Sequence, residues 1–296
     1  IIVGLMDILE PTSLEEALAA LGDDSKLIAG GTALVLMLKN RLISPERLVS
    51  LGRIGGLDGI RWEAGTGLHI GALATIRQAE TSPVVREHFP ELARTFGQVA
   101  NVRVRNAATV GGNLSEADYA SDPPCVLTGL RARVVLQSQH GSREIPLTEF
   151  FRDFYETALA SDEVLTEVIV PESSAGARQA YIKYVTRSSE DRPCIGTFAW
   201  ADVGEDGVCR ELRVTLGAVA EKPQEFAAAE ASATGERLSD DLIRHIASHY
   251  AEHIDPLSDM RGSAWYRKQM AEVFVRRAIQ LALETGSRGS GLGSGD

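Results

Sequence analysis

Two short apolar runs each end in a glycine pair flanked by hydroxyl or amide side chains: Leu27-Ile28-Ala29-Gly30-Gly31-Thr32-Ala33, and Ala107-Ala108-Thr109-Val110-Gly111-Gly112-Asn113. Glycine tolerates positive φ and carries no Cβ, so successive backbone N–H groups can be turned toward an anion. Thr32, Thr109 and Asn113 add side-chain donors, and a segment able to start a helix follows each turn. The chemistry this allows is the gripping of phosphate oxygens, and together the two turns point to one diphosphate site built from two loops. For either turn alone, a tight strand-to-helix connection is an equal explanation. Neither ends in Gly-Lys-Ser/Thr, so a nucleoside-triphosphate loop is not indicated.

The elements around the turns place them where ligands bind. Ser13-Leu14-Glu15-Glu16 reads as a capping box opening a helix through Leu21. Lys26 to Ala29 reads as a strand running into the first turn, a helix starts near Leu34, and Arg47 to Ser50 is the next strand. A glycine loop at the carboxyl end of such a strand sits in the usual ligand position of α/β folds. Ile60 to Ile70 reads as a hairpin around Ala64-Gly65-Thr66-Gly67, Thr75-Ile76-Arg77-Gln78 as a second capping box, and Glu91 to Val99 as the helix before the second turn. Pro123-Pro124 interrupts the following stretch, and Glu172 to Ala177 is the best linker candidate. Beyond it come strands at Tyr181–Val185, Thr197–Val203 and Leu212–Val219, then helices at Asp240–His253 and Ser263–Glu284.

Other chemistries find little support. Gly65-x-Gly67 followed by Gly71 has the wrong spacing for a dinucleotide fingerprint. His245, His249 and His253 share a helical stripe, but no fourth ligand or catalytic glutamate accompanies them, so a polar flank beside Leu242, Ile246 and Tyr250 is the better reading. Cys125, Cys194 and Cys209 lack C-x-x-C spacing, which leaves any iron–sulfur cluster to another chain. There is no G-x-S-x-G elbow. A net charge of -11 argues against a nucleic-acid surface, and no run reaches the length of a membrane span. Sparse cysteines and an apolar opening without a basic leader fit a cytoplasmic protein.

Ala29-Gly30-Gly31-Thr32-Ala33-Leu34 with Leu38-Lys39-Asn40-Arg41-Leu42, and Val104-Arg105-Asn106 running into the second turn through Leu114, resemble the FAD-binding (medium) subunit of molybdenum hydroxylases, the carbon monoxide dehydrogenase and xanthine dehydrogenase flavoproteins. The resemblance continues through Glu156–Glu167 and Tyr181–Arg187 to Asp259-Met260-Arg261-Gly262-Ser263-Ala264-Trp265-Tyr266-Arg267. It implies an α+β fold. A two-part FAD-binding domain would span 1–171, a small α/β unit (about 1–55) plus a larger mixed α+β unit (about 56–171). A C-terminal domain of a small sheet plus helices would span 178–285, followed by a flexible tail at 286–296.

By the same resemblance, Ala29, Gly30, Gly31, Thr32 and Ala33 would wrap the FAD diphosphate from one side, and Thr109, Gly111, Gly112 and Asn113 from the other. Asp122 would accept hydrogen bonds from ribose hydroxyls, its alternative being an N-cap; Asp118 is a weaker candidate, and Glu116 stands where the family pattern has His or Thr. Lys183 would lie near the pyrimidine edge of the isoalloxazine, its alternative being a solvated strand lysine, and Leu165 would pack on the ring or simply fill a core. No catalytic acid–base residue and no metal ligand is expected on this chain. The molybdenum cofactor would reside on a large subunit and [2Fe-2S] clusters on a small one, in a dimer of heterotrimers, with NAD, a quinone or oxygen as acceptor. The competing readings are a self-sufficient FAD-dependent oxidoreductase and a flavin-binding scaffold without turnover.

Overall fold

The computed structural model describes residues 6–174 and 176–288, which form two compact units. The division is not linear in sequence: residues 1–118 and 132–171 make the first unit, whereas 119–131 group with the residues from 172 onward.

The first unit opens with β1 (Asp7–Leu9), α1 (Leu14–Ala19), β2 (Ser25–Ile28), α2 (Leu34–Lys39) and β3 (Arg47–Ser50). Both β1 and β2 pair with β3 in parallel, giving a three-stranded sheet of order β1-β3-β2. Ser13 caps α1 by accepting from the Glu16 amide, but the Glu16 carboxylate bonds the Thr12 amide at 2.8 Å, so the capping box is completed one residue early.

A larger antiparallel sheet follows, formed by β4 (Ile60–Glu63), β5 (Gly67–Gly71), β6 (Arg133–Ser138), β7 (Gly141–Pro146) and β10 (Val164–Val170) in the order β4-β5-β10-β6-β7. The hairpin at Ile60–Gly71 closes with Glu63 opposite Gly67, and Gly65 and Gly67 both take positive φ, as turn chemistry requires. Helices α3 (Ile76–Thr81), α4 (Pro83–His88), α5 (Pro90–Gly97), α6 (Val102–Arg105) and α7 (Val110–Glu116) connect β5 to the second half of the unit. Thr75 and Gln78 form the expected capping box. A short helix α9 (Leu147–Phe150) and a small ladder of β8 (Phe151–Asp153) with β9 (Glu156–Thr157) precede β10.

The second unit is a three-stranded antiparallel meander of β11 (Ala177–Tyr184), β12 (Ile195–Val203) and β13 (Cys209–Gly217), with α8 (Asp122–Gly129), α10 (Ala227–Ala231), α11 (Asp240–His253) and α12 (Ala264–Arg288). Every residue of β12 from Ile195 to Ala201 is buried, because both sheet faces are covered. Ile195, Ala199 and Ala201 point into the cluster formed with α11 and α12, while Phe198, on the alternate face, meets Gly129 of α8 so closely that an added Cβ would lie 2.4 Å from its ring. Helix α12 buries Ala271, Val275, Ala278 and Ala282 at helical spacing, and α11 buries Ile243, Ile246, Ala247 and Tyr250. Pro123 and Pro124 do not interrupt this unit. They occupy the first turn of α8, where a missing N–H leaves no hydrogen bond unmade.

Arg267 of α12 has no exposed surface and donates to the Leu257 carbonyl at 2.8 Å and to Asp259 Oδ1 at 2.7 Å. Asp259 also accepts from Tyr119 at 2.7 Å and from the Arg261 side chain at 3.0 Å. Burial alone would raise its pKa, but the bonds from Tyr119, Arg267 and Arg261 outweigh it and hold the carboxyl well below the usual range. The segment 259–267 is thus the clasp that ties the start of α12 to Tyr119. The helix runs through Arg288, past the point where a tail was expected, and residues 289–296 lie outside those described, as do 1–5.

Candidate diphosphate site

In the first unit the two glycine turns meet. A Cβ built on Gly30 would lie 1.9 Å from the Ala107 carbonyl oxygen, so only glycine permits the approach. Gly31 takes φ of +67°, which turns the chain from β2 toward α2. On the second turn, a Cβ on Gly111 would meet Ala72 at 2.6 Å, which seats the start of α7 directly on the residue after β5.

The hydrogen bonds divide the labour between the turns. Among the described residues, the amides of Gly30, Gly31, Thr32 and Ala33 donate to no protein acceptor. The second turn has spent its amides: Val110 donates to Ala74 O at 2.9 Å, Gly111 to Ala72 O at 2.8 Å, and Gly112 to Thr109 Oγ1 at 3.1 Å. Thr109 thereby caps α7 and keeps its own hydroxyl proton for donation. The backbone donors left over for an anion are therefore those of the first turn, while the second presents a fixed edge that carries the Thr109 hydroxyl.

Leu165 lies in β10 opposite Leu136 and is 4% exposed, a core position next to a register shift in the strand. In the second unit, Asp122 and Lys183 come together. Lys183 Nζ donates to Asp122 Oδ2 at 2.9 Å and Tyr181 donates to Oδ1 at 2.7 Å. The side chains are 6% and 5% exposed, so Lys183 is not a solvated strand lysine and Asp122 is not an N-cap; Ser121 holds that position. Tyr181 and Lys183 are two apart on β11 and so share a face, and the carboxylate lies in the first turn of α8, where the helix dipole favours an anion. Asp118 is likewise buried, and Glu116 ends α7.

Among the described residues, no group of three or more His, Cys, Asp or Glu is placed to hold a metal ion, and no helix is long and apolar enough to cross a membrane. His249 and His253 stack on one another with centroids 3.9 Å apart and pack beside Phe226.

Sequence reading missed three contributors. Ala107 supplies the carbonyl on which Gly30 rests. Tyr181 shares Asp122 with Lys183, and its spacing from Lys183 was the available signal. Arg105, inside the quoted Val104-Arg105-Asn106, bonds Glu80 at 2.9 Å and the carbonyls of Val99 and Ala100 at 3.0 Å each.

Residues 5–173 match the FAD binding domain in molybdopterin dehydrogenase, and residues 165–282 match the CO dehydrogenase flavoprotein C-terminal domain. The chain is 33% identical over 270 residues to the glyceraldehyde dehydrogenase medium chain of Sulfolobus acidocaldarius, covering 90% of this chain and 95% of that one. It is 32% identical over 282 residues to the carbon monoxide dehydrogenase medium chain of Hydrogenophaga pseudoflava, covering 92% and 95%. Among solved structures, carbon monoxide dehydrogenase from Hydrogenophaga pseudoflava superposes with a TM-score of 0.90 at 33% identity, covering 94% of this chain and 97% of that one. Quinoline 2-oxidoreductase from Pseudomonas putida 86 superposes with a TM-score of 0.89 at 30% identity, covering 95% and 98%. The four amides presented at the end of β2, and the glycines that admit no side chain, fit the diphosphate of the dinucleotide named by the matched domain. With both domain models met in chain order and such identity along nearly the whole length, the chain belongs to the family of FAD-binding medium subunits of molybdenum hydroxylases, oxidoreductase subunits of mixed α+β fold.

Proposed function

We propose that this chain is the FAD-carrying electron-transfer subunit of a heterotrimeric molybdenum hydroxylase. It would take electrons from [2Fe-2S] clusters on a small partner subunit, after substrate oxidation at a molybdenum cofactor on a large one, and pass them to NAD, a quinone or oxygen. The observation that carries the reading is the row of undonated amides from Gly30 to Ala33, held open by the seat of Gly30 on the Ala107 carbonyl. When bound, FAD supplies the exchange between one-electron and two-electron traffic that such a relay needs.

The residues of the chain bind and orient. The Gly30–Ala33 amides would hold the diphosphate, with the Thr32 and Thr109 hydroxyls and the Asn113 amide as further donors. In the second unit, Asp122 and Lys183 act as one buried pair rather than as two independent charges, and any contact either makes with FAD is made from that pair. No residue of the chain has to move a proton at a substrate atom for this task.

The test is the visible spectrum of the purified chain, alone and co-expressed with its neighbouring genes, before and after anaerobic substrate. Flavin absorbance on the isolated chain, with iron–sulfur absorbance and substrate bleaching only in the complex, supports the electron-transfer subunit. Substrate oxidation by the chain alone would replace it with a self-sufficient oxidoreductase. A chain that cannot be loaded with FAD would overturn the proposal.

A further inference from the structure

Arg105 stands two residues before the carbonyl that Gly30 touches, and its side chain is only 12% exposed. Its Nε bonds Glu80 Oε2 of α3 at 2.9 Å, and its Nη1 donates to the carbonyls of Val99 and Ala100, in the turn between α5 and α6. That turn needs holding, because Ala100 sits at φ of +43°, a left-handed conformation that a Cβ disfavours. Gly97 leaves the Glu80 carboxylate room, since a Cβ there would come within 3.3 Å of it.

These bonds close a ring. From α6, the amides of Ala107 and Ala108 both donate to the Val104 carbonyl, at 3.0 and 2.8 Å, and the Ala108 carbonyl accepts from Ile76, the first residue of α3, at 2.8 Å. Helix α3 returns to Arg105 through Glu80, whose other oxygen takes Arg77 at 2.7 Å. The peptide that carries the Ala107 carbonyl is therefore fixed from α6, from α3 and, through Arg105, from the preceding turn. Gly30 has no slack against that oxygen, so a displacement of the ring is transmitted to the first glycine turn.

We propose that Arg105, braced by Glu80, is a positioning residue that sets the gap between the two glycine turns and thereby the aim of the Gly30–Ala33 amides. The inference rests on the reading of those amides as the FAD diphosphate site. Its chemistry favours arginine: one planar fork serves a carboxylate and two carbonyls at once, which a lysine ammonium on a flexible stem does not reproduce.

The experiment titrates the full chain with FAD and with FMN, comparing wild type with Arg105→Lys, Arg105→Met and Glu80→Gln. Misplacing the grip by about 1 Å should weaken FAD, on the order of 10- to 100-fold. FMN, with a single phosphate, should lose far less, and the order of loss should be Arg105→Met, then Arg105→Lys. A general loss of structure would weaken both ligands together, and that result overturns the inference. Should Arg105→Met fail to fold, Arg105→Lys and Glu80→Gln carry the comparison. Wild-type binding of FAD with unchanged affinity in the variants overturns this inference alone; no FAD binding by wild type overturns the site reading beneath it.

Discussion

Gly30→Ala puts the geometry of the first turn to its hardest test. The new methyl would lie 1.9 Å from the Ala107 oxygen and 2.7 Å from its carbon, both backbone atoms that cannot rotate away. Heavy atoms do not approach a Cβ within about 3 Å, so the two turns must part by about 1 Å. Overpacking of this kind costs about 1–3 kcal/mol in fold stability. For the ligand, a displacement of that size breaks at least one hydrogen bond from a backbone amide to a charged phosphate, worth about 1.5–3 kcal/mol, which is roughly a 10- to 150-fold loss of FAD affinity. Quenching of flavin fluorescence in a titration measures it, with thermal unfolding of the apo chain recorded alongside. Gly55→Ala is the control, since no atom lies within 4 Å of its added Cβ, and it should bind FAD as wild type does. Should Gly30→Ala bind FAD within about twofold of wild type and melt with it, the contact between the turns is not what holds the amides in place.

Four further outcomes follow from the charges and caps. Lys183→Met removes the ammonium that pairs with the buried Asp122 carboxylate and should destabilise the second unit by about 3–5 kcal/mol, whereas the double change Asp122→Leu with Lys183→Met should recover much of that in urea unfolding. Thr109→Val removes the acceptor of the Gly112 amide and should cost about 0.5–2 kcal/mol in the same assay. Asp259 has its pKa held down in the folded state, so its clasp contributes stability above the unfolded carboxylate pKa and loses it as pH falls through the folded value; Asp259→Asn should be less stable at pH 7 and should lack that part of the acid dependence. Glu230 is the opposite case: burial pushes its carboxyl up, against the bond from the Val214 amide at 2.8 Å, so the folded chain incurs a growing cost as pH rises through the raised value. Glu230→Gln should therefore gain stability relative to wild type as pH rises above the ordinary carboxylate value, and a difference that stays constant with pH would show that the carboxyl does not titrate as its burial implies.

Local chemistry was legible in the sequence wherever a few neighbouring residues decide the outcome. The hairpin at 60–71, the Thr75 cap, helix α11 from Asp240 to His253 and the glycine turns follow from φ preferences, side-chain periodicity and short-range hydrogen bonds. Family membership was legible too, because several separated motifs in order are more specific than any one. What tertiary structure alone decided are the partners of groups far apart in the chain. Asp122 and Lys183 are 61 positions apart and read as serving separate tasks in the sequence, yet α8 and β11 bring them together in one buried pair. Helix α8 itself groups with the residues after 171, because its glycine at 129 and Cys125 fit against β12 and β13, a complementarity that no local pattern announces. The two glycine turns look equivalent as sequence, but the carbonyls of Ala72 and Ala74 take up the amides of the second and leave those of the first undonated. Sequence fixes which residues can offer a donor, whereas the strand edge that each donor meets depends on the whole chain having folded.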